Sequence, residues 1–174
     1  MKILRGAAAV LLLAGALAPE FARYRAERML RVAESAFSIV LTHPSEVADP
    51  AAALDRIAAI GTAAAPGLPG DSRPLILSGG ARLASGQLDT AIETYREALR
   101  LGERAETDLN LGRAYEAKGD AARSHAAFLR AVWISPAMLS AVLPDIAAPL
   151  REELTQLEAE LRAGRLTAPP ALPE

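Results

Sequence analysis

Cysteine is absent from this 174-residue chain. Its absence excludes a disulfide framework, a thiolate metal site and a lipid-attachment cysteine. Aromatic residues make up only 4% of the sequence while 51% is hydrophobic. Such a balance suits helices that pack closely through small side chains such as alanine. Excess charge is missing too: the net charge is -2, which leaves no electrostatic footprint for nucleic acid. No stretch has the strongly basic character of a membrane-surface helix.

Reactive motifs are equally thin. Gly70-Asp71-Ser72 invites comparison with the nucleophile block of GDSL-type esterases, but it precedes Arg73-Pro74 at a helix start rather than following a strand. Neither His43 nor His125 lies in a matching Asp-x-x-His block, so Asp71 is read as a helix cap. Gly79-Gly80 with Gly86 has no preceding strand and no following Gly-Lys-Ser/Thr, so helix packing explains it better than a phosphate loop. The histidines lack a metal-ligand partner at helical spacing. Trp133 reads as a packing residue at a helix end. No catalytic, cofactor-binding or metal residue is assigned, and the chain is read as a non-enzyme.

What is present is helical periodicity throughout. Residues 1–18 place Lys2 and Arg5 before an uncharged apolar run, the layout of a secretory leader. Ala16-Leu17-Ala18 has a small-x-small pattern, but Pro19 is a poor residue after a scissile bond. An uncleaved membrane anchor is therefore expected, with a removed leader and a buried helix as alternatives. Positive charge at the N-terminus puts the remainder on the outer side of an inner membrane. From Pro19, Ala22, Ala26, Met29, Ala33, Phe37 and Val40 form one apolar stripe, beside arginines and glutamates read as a solvated face. A second helix starts at Asp49-Pro50 and reaches about Ala64, and residues 65–70 are a turn-forming link. Residues 19–65 thus form a long helix within a helical pair.

The chain is organised around Ala105 to Pro136. Leu111, Gly112 and Tyr115 lie on one face of a first helix, Lys118-Gly119-Asp120 makes the turn, and Phe128, Ala131 and Val132 return on a second. Gly112 lets the backbones approach, and the two aromatic rings fill the space between them. The spacing Leu111-Gly112-x2-Tyr115, Phe128 and Pro136 resembles the tetratricopeptide repeat, with Asp108 in the Trp position and Ser124 in the small Ala position. A weaker copy lies thirty-three residues earlier, pairing Gly79 with Gly112, Gly86 with Gly119, Tyr95 with Phe128 and Ala98 with Ala131. Arg82 takes the Tyr115 place. The two units span 72–103 and 105–136.

After Pro136, residues 137–164 are read as short turns followed by a capping helix over 149–163 that carries Leu150, Leu154, Leu157 and Leu161 on one face. Residues 165–174 are read as a disordered tail. The expected fold is all-α: a short tetratricopeptide-like solenoid of helical hairpins, with an N-terminal membrane or leader helix and a C-terminal cap.

The resemblance implies a protein-interaction scaffold with protein partners. Its two-carboxylate clamp is absent, because Ile76 and Gly80 stand where Lys and Asn belong and only Asn110 fits. With Leu111, Gly112 and Tyr115 turned inward, Leu109, Asn110, Arg113 and Glu116 are expected on the groove side, joined by Ile76 and Leu83. The expected role is assembly of a bacterial-type envelope membrane complex from the periplasmic side. A permanent accessory subunit and a soluble periplasmic module are the alternatives. No nucleic acid, small-molecule substrate or cofactor is expected.

Overall fold

A computed structural model describes residues 2–166 and 168–172, without the side chains of 2–16. Among the described residues it contains α-helices, short 3-10 turns and no strand. The helices are α1 (Lys2–Thr42), α2 (Pro50–Ala64), α3 (Arg73–Ala84), α4 (Leu88–Leu101), α5 (Ala105–Lys118), α6 (Ala121–Ile134) and α7 (Pro144–Arg162). Each of α1 to α6 packs on its successor, so α1–α2, α3–α4 and α5–α6 form three stacked hairpins, and α7 lies over α6. This is a helical-hairpin solenoid.

Local chemistry sets the boundaries. The Asp49 carboxylate accepts from the Ala52 N–H, and Pro50 needs no donor at the first turn. Gly86 and Gly119 end the first helix of their hairpins in the left-handed region, at φ +78° and +81°. A side chain resists that region, whereas glycine enters it freely.

The thirty-three-residue correspondence is visible in the packing. A Cβ at Gly79 would stand 2.7 Å from the Tyr95 ring, and one at Gly112 would stand 2.5 Å from the Phe128 ring. Ala98 and Ala131 are both wholly buried. Arg82, in the Tyr115 place, donates to the Thr94 hydroxyl, replacing ring packing with a hydrogen bond. Gly112→Ala is expected to cost about 1–3 kcal/mol through overpacking, more than the helix propensity it gains. Gly79→Ala should behave alike. Adding Phe128→Leu to Gly112→Ala should recover part of the loss in urea melts, and no recovery would show that the clash is not the cause.

One boundary differs from expectation. The last helix starts at Pro144, not Pro149, and carries Pro149 within it. Pro149 cannot donate to the Asp145 carbonyl, but both residues are exposed, so water can serve that carbonyl. The helix still stops at Gly164, at φ +70°. Within the segment read as a disordered tail, of which residues 167, 173 and 174 lie outside the described residues, the Pro170 carbonyl accepts from Arg130 Nη1 at 2.7 Å.

The side chains of residues 1–18, the segment expected to be the membrane anchor, lie outside those described, except for Leu17 and Ala18. Helix α1 includes Pro19 and passes without a break into the first hairpin. Among the described residues no helix is long and apolar enough to cross a membrane.

A candidate groove across the first helices

The first helix of each hairpin contributes to one cleft of about 300 Å³. From α1 come Glu34 and Phe37, from α3 come Arg73, Ile76, Leu77 and Gly80, and from α5 and the residue before it come Arg104, Glu106 and Asn110. The floor is apolar. Phe37 lies against Gly80, where a Cβ would meet the ring at 3.1 Å. The rim carries both charge signs.

Arg73 ties the cleft together. Its Nη2 donates to Glu27 of α1 at 2.8 Å and to Asp71 at 2.6 Å. The Asp71 carboxylate also accepts from the Arg73 backbone N–H at 2.9 Å. This side-chain bond from Arg73 holds the Asp71 carboxyl below its ordinary range, against a smaller upward effect of burial. The same two carboxylates raise the guanidinium pKa. Asp71 of the Gly70-Asp71-Ser72 triplet thus holds the start of α3, and Arg73 docks that helix on α1. Ser72 is buried, His43 bonds the Thr42 hydroxyl, and His125 bonds Glu153 of α7.

Of the six residues expected on the binding face, Ile76 and Asn110 meet in this cleft. Leu109 does not: it is 5% exposed and packs with Phe128, Val132 and Leu150. Leu83 is half-buried against the core shared by α4 and α5. Arg113 is exposed, but its guanidinium bonds the Asn110 side chain and the Ala141 carbonyl, which fastens α5 to the turn before α7. Glu116 borders a separate hollow with His125 and Asp145. The expectation for Leu109 fails because α5 is enclosed on most of its circumference, burying Leu109 as well as Leu111 and Tyr115. Helix α1 supplies the third wall of the cleft. Its stripe was legible, but nothing in its residues repeats the glycine and aromatic spacing of the later hairpins.

Among the buried polar groups without a hydrogen-bond partner, which include the hydroxyls of Tyr95, Thr107 and Tyr115, one is ionisable as a carboxylate. Asp108 is fully buried, and neither carboxylate oxygen has a hydrogen-bond partner. Burial, with some help from Glu103, pushes its pKa up to about 7, while Arg130 acts weakly in the opposite sense. Arg130 is itself paired with Glu103. Among the described residues there is no cluster of three or more side chains able to hold a metal ion.

Comparison with family models, with curated proteins and with solved structures yields no match.

Proposed function

We propose that this protein is a non-catalytic scaffold of tetratricopeptide type that assembles or stabilises a membrane complex in a bacterial-type envelope. Its N-terminal segment holds it at the membrane, with the solenoid on the periplasmic side. The observation that carries the reading is the cleft shared by α1, α3 and α5. An apolar floor of Phe37, Ile76 and Leu77 beneath a rim of Glu34, Arg104, Glu106 and Asn110 suits one or two apolar side chains of a protein segment, with polar groups to orient it. The repeated hairpin packing and the layout of residues 1–18 support the remainder of the proposal.

The test is purification of the full chain in mild detergent beside a variant carrying Arg104→Glu and Asn110→Ala. Both positions are at the rim rather than in the core. Partner recovery should fall about tenfold, equivalent to about 1.4 kcal/mol of binding, with the thermal midpoint unchanged. Equal recovery by both proteins would remove the cleft as the binding site. A partner of fixed stoichiometry would mark a permanent subunit, and exchangeable partners would mark an adaptor.

A further inference from the structure

Helix α1 has a second face that the solenoid leaves uncovered. Ala26, Leu30, Ala33 and Val40 are buried, whereas Leu17, Phe21, Tyr24 and Val32 are each more than half exposed. Beside that exposed stripe are two adjoining hollows. One, of about 440 Å³, is lined by Ala18, Phe21, Ala22, Arg25, Ala26, Met29, Ala63 and Gly67. The other, of about 330 Å³, is lined by Arg25, Arg28, Met29, Val32 and Ile60. They share Arg25 and Met29 and so form one trough along α1.

The charges in this trough are of one sign. The sequence around it alternates arginine with glutamate, but no carboxylate lines either hollow. The fold has sorted them: Glu27 is turned away to Arg73. An apolar trough with two guanidinium groups fits an amphiphile with an anionic head, and the chain itself suggests its source. The trough begins at Ala18, where the apolar run of residues 6–18 ends, and both belong to the unbroken α1.

We propose that this trough binds an anionic phospholipid of the membrane, with the phosphate between Arg25 and Arg28 and the upper acyl chain along Ala18, Ala22 and Phe21. The inference rests on the membrane attachment proposed above. Its geometry is consistent with a bilayer. Along a helix rising 1.5 Å per residue, Arg25 and Arg28 stand about 10 and 15 Å beyond Ala18. The headgroup zone on each side of a bilayer is about 5–8 Å thick. Helical side chains lean toward the N-terminus, so both arginines reach back toward that zone, as long basic side chains do at interfaces. Tyr24, exposed between them and the apolar run, occupies the level favoured by interfacial aromatics. Small residues at 18, 22 and 63 leave the space for a chain.

The full-length protein, reconstituted in vesicles of phosphatidylcholine alone and of phosphatidylcholine with phosphatidylglycerol, tests this. Flotation with the neutral vesicles reports on membrane attachment. Mass spectrometry of lipid retained after mild extraction from the mixed vesicles reports on the trough. Phosphatidylglycerol should be enriched severalfold over its bulk share, and Arg25→Gln with Arg28→Gln should abolish the enrichment. Ala22→Phe, which keeps both charges but fills the trough, should abolish it too. Flotation without enrichment would overturn the lipid site and leave the attachment standing. Failure to float would overturn both. Because the chain has no cysteine, Phe21→Cys introduces a single thiol. Efficient disulfide-linked dimers of that variant in the vesicles would show a second copy covering the face and would also overturn the lipid site.

Discussion

Replacing Asp108 by asparagine is expected to stabilise the protein at neutral and alkaline pH by about 2–4 kcal/mol. Burial lifts the Asp108 pKa to about 7 in the folded state, against about 3.9 in an unfolded chain. Between those values the folded protein holds a proton that the unfolded chain has released. Raising the pH through this window therefore favours unfolding, by up to about 1.4 kcal/mol per unit, and the loss is complete above about pH 7. Asparagine carries no charge to desolvate, although its amide remains poorly bonded, so the gain is less than the full electrostatic cost. Urea melts at pH 5 and pH 8 check this. The natural chain should lose stability between the two, and Asp108→Asn should lose much less. Parallel curves would mean that Asp108 is not the titrating group. Asp71 works in the opposite direction, because its depressed pKa adds stability that is lost as the pH falls, and it acts below this window. Leu75, thirty-three residues earlier, is buried in the equivalent place. Asp108→Leu should therefore stabilise as well.

Phe128→Ala should produce a comparable change of opposite sign. The ring is 2% exposed, rests on Gly112, and shares a core with Leu109, Val132, Leu150 and Leu154. Helices α5, α6 and α7 therefore all lose contact with it at once. Removing a buried phenylalanine costs about 3–5 kcal/mol. A typical domain is stable by about 5–15 kcal/mol, so this is a large share of the total. The thermal midpoint should fall by roughly 10 °C or more. Tyr95→Ala, the matching change in the preceding hairpin, should cost a similar amount, since Tyr95 is wholly buried against Gly79. Burial also holds the Tyr95 phenol well above its ordinary pKa, and its hydroxyl lacks a partner. Tyr95→Phe should accordingly be neutral or slightly stabilising. A mild effect of either alanine substitution would show that its ring does not anchor the hairpin.

By itself the sequence determined what depends on neighbours along the chain. Proline, aspartate and glycine act through their own dihedrals and nearest N–H groups, so Asp49-Pro50, Gly86, Gly119 and Gly164 marked helix ends that the structure reproduces. The correspondence of Gly79 with Gly112 and of Tyr95 with Phe128 was legible because two hairpins of one spacing repeat the same residue types, and the structure sets each ring against its glycine. Tertiary structure decided what depends on which faces are covered. Periodicity places Leu109 on one side of α5, but only the packing of α6 and α7 shows that this side is also core. The same holds for charge. Arginine and glutamate alternate evenly along α1, and it took Arg73, brought over from α3, to draw Glu27 aside while Arg25 and Arg28 border the trough. Whether a residue is buried is a property of the elements that reach it, and those elements come from distant parts of the chain.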